Sequence, residues 1–218
     1  DSIFKEKKLY SDLKKTFVFK DISSFVKSIK KPRKVLILVP TGNPNDSVIS
    51  NLIKILDEGD ILIDAGNTNP EISFKNKLKK KENKILYLGM GVSGGVDGVL
   101  NGPSIMIGGD INAFNQVKDD FSLITSKTID NTFSFDLFGD SNQGHFIKMI
   151  HNGIEYVEMQ LIASMYKLLI DSNNYNNQEI AEIFNEWNNG KQKSYLMDIS
   201  IKQILEKIEN KYLIEKID

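Results

Sequence analysis

The segment KVLILVPTGNPNDSVISNLIKILDEGDILIDAGNT, residues 34–68, holds two strand patterns, each followed by a glycine loop, with a helical pattern between them. Lys34–Val39 contains the longest clean apolar run of the chain, and Pro40-Thr-Gly-Asn-Pro44 breaks it. A helical pattern near 46–57 leads to a second short apolar run, Ile61–Asp64, and to the loop Asp64-Ala-Gly-Asn-Thr68. Short apolar strands alternating with helices specify a parallel sheet covered by helices.

Outward from this segment the alternation continues. Further strands are predicted at Phe17–Phe19, Lys84–Leu88 and Ser104–Ile107, and helices near 21–31, 70–82 and 111–120. Asp21 is the expected cap of the first helix, and Asp46 or Ser47 of the one over 46–57. From about residue 142 the pattern becomes wholly helical, with Trp187 and Tyr195 among isoleucines at helical spacing. The expected architecture is an α/β domain over 1–141, followed over 142–218 by the start of an all-α domain.

With 218 residues, 40% apolar and 26% charged, the chain can bury a sizeable core. A formal net charge of −1 gives no electrostatic case for nucleic acid or an anionic membrane surface. Cysteine is absent, which excludes thiol chemistry and disulfides. His145 and His151 lack the i, i+4 spacing of a helical metal pair, so no metal is expected. Neither a membrane span nor an apolar leader is visible, which makes the cytoplasm the expected location. Arg33 is the sole arginine, which limits how a phosphate could be held.

Ligands bind such sheets where the strand-to-helix loops gather. Three loops qualify: 40–44, 64–68 and the run Gly89-Met-Gly-Val-Ser-Gly-Gly95. The last contains a literal G-x-G-x-x-G at Gly89, Gly91 and Gly94. A dinucleotide fingerprint needs a helix opening after its last glycine. None is expected here, because Gly95, Gly98, Gly102 and Pro103 interrupt the next stretch. A substrate loop using Ser93 and the amides of Gly94 and Gly95 is the better fit.

Near residue 150 lies an inverted stripe. Lys148, His151, Asn152, Glu155 and Tyr156 fall at i, i+3, i+4, i+7 and i+8 among apolar neighbours. In a helix they share an arc of roughly 140° at about 100° per residue. Phe146, Ile147, Met149, Ile150, Ile154 and Val157 fill the rest, so the helix is expected to be buried on most sides with its stripe lining a cleft. The competing reading is the wet face of a surface helix; the absence of Glu/Lys pairs on that face argues against it.

At these residues the chain resembles decarboxylating 6-phosphogluconate dehydrogenases. The similarity rests on Asp64-Ala-Gly-Asn-Thr, Val92-Ser-Gly-Gly with Gly98, Gly102-Pro-Ser, Gly108-Gly, Gly144-His-Phe-Ile-Lys-Met-Ile-His-Asn-Gly-Ile-Glu-Tyr156 and Glu186-Trp-Asn-Asn-Gly190. The resemblance implies an incomplete Rossmann-like sheet, NADP as hydride acceptor, and oxidation of 6-phosphogluconate at C3 with loss of carbon dioxide to give ribulose 5-phosphate, a pentose phosphate pathway step. It assigns Lys148 as the base and Glu155 as the acid that protonates C1 of the enediol. Asn67, Ser93, Gly94, Gly95, His151, Asn152 and Tyr156 would hold substrate; Val39, Pro40, Thr41 and Asn67 would meet the cofactor. For the base role Lys148 must be neutral, which from an ordinary pKa near 10.4 requires burial to lower it by about two or three units. Its conjugate ammonium would then polarise the 3-keto oxygen.

The departures are specific. The family's cofactor loop reads Val-Lys-Ala-Gly, whereas Val39-Pro40-Thr41-Gly42 lacks the lysine and one backbone donor. The family's opening glycine fingerprint and most of its helical domain have no counterpart, so the chain is expected to be a fragment of a homodimeric enzyme, impaired on its own. Two other functions compete: a dehydrogenase for a small 3-hydroxyacid, which needs Lys148 and Asn152 but not Glu155, and a non-catalytic scaffold.

Overall fold

The computed structural model describes residues 17–81, 84–172 and 174–216. The chain divides into two compact units, Asp1–Met149 and Ile150–Asp218.

Helix α1 (Ile22–Ser28) opens the described part of the first unit, its Asp21 carboxylate accepting from the Ser24 N–H at 2.8 Å. There follow β1 (Lys34–Ile37), α2 (Asn43–Ile53), β2 (Ile61–Asp64), α3 (Pro70–Lys81), β3 (Leu86–Ser93), α4 (Gly95–Asn101), β4 (Ser104–Gly109), α5 (Ile111–Ser122) and β5 (Phe135–Leu137). The five strands form one sheet in the order β1-β2-β3-β4-β5. All neighbours are parallel except β3 and β4, which pair antiparallel.

Strand residues alternate between faces, so the strands β2 and β3 feed two cores. On one face Ile61, Ile63, Leu88, Met90, Ile105 and Ile107 pack with Ala113, Val117 and Phe121 of α5. On the other, Val35, Ile37, Leu62 and Tyr87 pack with Val26 of α1 and with Ile49 and Leu52 of α2. At the N-terminal ends of the strands sits the chain's only arginine. Arg33 donates through Nη1 to Asp57 and Asp60 at 2.7 Å each, and through its N–H to Asp60 at 2.7 Å. It therefore serves the register of β1 and β2, at the edge opposite the ligand loops.

Helix α6 (Gln143–Asp171) starts in the first unit and continues into the second. The second unit adds α7 (Asn177–Asn188), α8 (Tyr195–Leu205), a hairpin of β6 (Lys207–Ile208) and β7 (Lys211–Tyr212), and a 3₁₀ turn over Leu213–Lys216. Its core is Ile180, Ala181, Phe184, Met197 and Ile204, with Trp187 stacked on Phe184 at 5.3 Å. A capping box starts α7: Asn176 accepts from the Glu179 N–H and Glu179 from the Asn176 N–H.

The mixed fold follows the expectation, with six corrections. Phe17–Phe19 forms no strand, and Phe17 is 82% exposed. Helix α2 begins earlier than expected, capped by the backbone of Gly42 at φ 86° and not by Asp46 or Ser47. Strand β3 runs on through Gly89 and Gly91 to Ser93, where a loop was expected. Helix α4 opens at Gly95, directly after Gly94. That removes the stated ground for rejecting the fingerprint; the better ground is that Gly89 and Gly91 lie inside β3. The β6-β7 hairpin interrupts the all-helical second part. Finally, α6 is not buried on most sides: Phe146, Met149, Ile150, Ile154 and Val157 are exposed, because among the described residues no element covers them.

Candidate active site

The C-terminal ends of β1, β2 and β3 lie side by side, with Ile37 beside Asp64 and Asp64 beside Gly89. Residues 89, 91 and 93 share one face of β3, and the start of α6 lies on that face. A side chain at Gly89 would collide with the Ser141 carbonyl and the Ser73 hydroxyl, and one at Gly91 with Cβ of Lys148. Across the ladder Gly108, the partner of Gly89, leaves room for the Asp140 carbonyl and for Gly144. Four glycines thus remove the side chains that would hold helix and sheet apart. The G-x-G spacing in this chain makes a helix seat.

Lys148 stands on that seat, 8% exposed, its stem over Gly91. Ser93 is the next residue on the same face and is half-buried; Gly94 and Gly95, at φ 144° and 53°, are exposed beyond it. Between buried Gly66 and Thr68, Asn67 turns outward from its loop. The first unit therefore places Lys148, Ser93 and Asn67 on neighbouring elements at the ligand edge of the sheet.

Holding the Asn67 loop is a buried polar network that the sequence reading did not single out. The Asp64 carboxylate, fully buried, accepts from Asn45 Nδ2 at 3.3 Å, Thr68 Oγ1 at 3.1 Å, the Tyr87 hydroxyl at 3.1 Å and the Gly66 N–H at 3.2 Å. Burial, and next the Asp64 charge, push the Tyr87 phenol well above its ordinary range, so it remains protonated and donating. Ser73 Oγ lies 3.2 Å from the Tyr87 hydroxyl and 3.2 Å from the Ser141 carbonyl. His145 Nε2 lies 3.1 Å from the Asp64 carbonyl, which can only accept, so Nε2 carries the proton. The available signal was the acidic residue ending β2 directly before Ala-Gly-Asn.

In the second unit His151, Asn152 and Glu155 are half-buried, and Tyr156 is 63% exposed. His151 Nδ1 approaches Glu155 Oε2 at 3.6 Å across one helical turn. The carboxylate and the imidazole of the stripe thus face each other, while the surrounding apolar side chains are the more exposed.

Val39 is half-buried, and Pro40 and Thr41 are exposed between the end of β1 and the start of α2. The Gly42 cap of α2 supplies no side-chain acceptor, and space is open around it. First-turn N–H groups without a side-chain cap, at the ligand edge of a parallel sheet, fit an anionic cofactor. Pro44 in that first turn offers no such group.

Comparison with known proteins gives a consistent picture. A profile of the NAD binding domain of 6-phosphogluconate dehydrogenase matches residues 4–132, and one of the C-terminal domain of the same enzyme matches 144–218. A decarboxylating 6-phosphogluconate dehydrogenase of Staphylococcus epidermidis is 42% identical over 198 residues, which are 90% of this chain and 42% of that protein. One from Staphylococcus aureus is 42% identical over 197 residues. The solved Plasmodium falciparum 6-phosphogluconate dehydrogenase, studied apo, with NADP+ and with 6-phosphogluconate, superposes with a TM-score of 0.88 at 35% identity, covering 99% of this chain and 47% of that one. A Mycobacterium tuberculosis 3-hydroxyisobutyrate dehydrogenase, at 16% identity and a TM-score of 0.66, shares the fold. The chain spans less than half the length of the 6-phosphogluconate dehydrogenases it matches.

Proposed function

Because the chain belongs to the 6-phosphogluconate dehydrogenase family, we propose that it carries part of the site for oxidative decarboxylation of 6-phosphogluconate to ribulose 5-phosphate and carbon dioxide, with NADP as acceptor. The observation that carries this reading is Lys148, buried on the glycine seat, with Ser93 next on the same strand face and Asn67 presented from the adjoining loop.

Val39, Pro40, Thr41 and Asn67 would hold NADP, which when bound supplies the acceptor for the C3 hydride. Lys148 Nζ takes the proton of the 3-hydroxyl as that hydride leaves, so charge does not accumulate on oxygen. The resulting ammonium then polarises the 3-keto oxygen and stabilises the enediolate formed as the C1 carboxylate departs as carbon dioxide. Glu155 delivers a proton to C1, and His151 beside it orients that carboxyl group. Asn67, Ser93, Gly94, Gly95, Asn152 and Tyr156 hold the hydroxyls, carboxylate and phosphate of the substrate.

The complete protein acts in the cytoplasm as a homodimer. Support for a partner surface is the exposed series Ile154, Val157, Leu161, Met165 and Leu168, spaced three and four residues apart along α6. No described helix is long and apolar enough to cross a membrane.

Titration calorimetry of the chain with 6-phosphogluconate, gluconate and 3-hydroxyisobutyrate tests the substrate assignment. Preference for 6-phosphogluconate is expected. Equal or tighter binding of 3-hydroxyisobutyrate overturns it.

A further inference from the structure

We propose that Asp64 is a positioning residue, which fixes Asn67 relative to Lys148 by tying the loop between β2 and α3 to the first turns of α6. The inference rests on the substrate reading for what Asn67 and Lys148 do, but its geometry lies wholly within the first unit.

Two routes join these elements, one a single hydrogen bond and one a chain of polar contacts, and both end on Asp64. In the direct one, His145, one turn before Lys148 on α6, donates to the Asp64 carbonyl. In the second, Tyr87 of β3 donates to the Asp64 carboxylate, and Ser73 of α3, which touches both the Tyr87 hydroxyl and the Ser141 carbonyl just before α6, gives its single proton to one of the two and packs against the other. The same carboxylate accepts from Gly66 and Thr68, the residues on either side of Asn67. Asn67 itself is left turned outward.

The chemistry argues for orientation over plain stability. The hydrogen bonds to this buried carboxylate come from neutral donors, and burying a charge among neutral donors is costly where apolar packing would hold a loop equally well. A carboxylate offers acceptors in several directions at once, which no apolar side chain and no single amide provides. Asn at residue 64 would turn an NH₂ group toward donors.

The test compares Tyr87→Phe, which keeps the ring and removes one donor, with Ser73→Ala, which interrupts the second route at smaller cost to the fold. In nitrogen-labelled spectra of the whole chain, both variants should shift the Asn67 side-chain amide and the Lys148 backbone amide together, while Phe184 in the second unit stays still. His145 should show the tautomer protonated at Nε2. Affinity for 6-phosphogluconate should fall about fivefold in Tyr87→Phe, the ratio that loss of one typical hydrogen bond gives. In an Asn67→Ala background the same substitution should cost almost nothing further, as residues acting in series require. Folded variants with unmoved Asn67 and Lys148 signals overturn the proposal, as do strictly additive affinity losses. If the unaltered chain binds no 6-phosphogluconate yet the two signals move together, the substrate reading fails and the positioning role stands.

Discussion

Lys148 occupies the volume that a side chain at Gly91 would fill, its Cβ and Cγ lying over the bare backbone of β3. Lysine and strand are thereby locked in depth as well as in register. Gly91→Ala must push the first turns of α6 outward, since its methyl group meets a side-chain stem at the root. The expected cost is about 1–3 kcal/mol, typical of overpacking a tight contact, and urea unfolding of the chain measures it. An unchanged midpoint would show that α6 yields freely at this point.

Replacing Lys148 by Met should remove oxidation and decarboxylation together, because in the proposed function one nitrogen serves both steps. A loss of about 10²-fold or more is expected for a general base. Glu155→Gln should slow release of ribulose 5-phosphate while leaving hydride transfer measurable in a single turnover. Product formed at an unaltered rate by the Glu155 variant would favour the small 3-hydroxyacid reading, in which Glu155 has no task. Both substitutions are assayed with 6-phosphogluconate and NADP+ in the longest active form of the protein.

Acid should loosen the first unit through its clamp at the starts of β1 and β2. Burial pushes the Asp60 carboxyl up, but the N–H groups of Arg33 and Asp57, with the Arg33 guanidinium, outweigh it and hold the group below the usual carboxylate range. Asp57 is lowered by Lys31 first and by Arg33 next. Groups depressed in the folded state contribute stability that is present above the unfolded value, near 3.9, and lost as pH falls through the folded one. Melting temperature should therefore drop below about pH 4, and Asp60→Asn should flatten that drop while lowering stability at neutral pH.

The second unit depends on one aromatic stack. Phe184, wholly buried beside Trp187, should cost about 3–5 kcal/mol when changed to Ala. Near-ultraviolet circular dichroism should lose the Trp187 signal in parallel with the unfolding midpoint. Retention of that signal would mean the indole is held by its other neighbours.

Periodicity made the alternating strands and helices of the first unit legible, because a strand buried on both faces reads as a continuous apolar run, as Ile61–Ile63 does before Asp64 ends it. It misplaced β3, since glycines at 89 and 91 carry the local signature of a loop while tertiary packing against α6 demands a strand. For α4 the reason is similar: its glycines disfavour a helix locally, and the turn persists because Gly98 seats against Pro103. The polar stripe was visible as a spacing. Its apolar surroundings were misjudged because burial is a property of what else is present, and sequence spacing does not carry that. The Asp64 network was hidden for a related reason, its members being scattered from Asn45 to His145 and brought together only by the sheet.

A floor built from bare main chain has little to vary. Side chains can be exchanged over evolutionary time, whereas a peptide backbone at closest approach admits almost no alternative, so Gly89, Gly91, Gly108 and Gly144 form a component that drift cannot retune. Divergence in what this edge of the sheet accepts must then arise from the exposed tips at residues 40, 41 and 67, where substitution leaves the seat of Lys148 undisturbed.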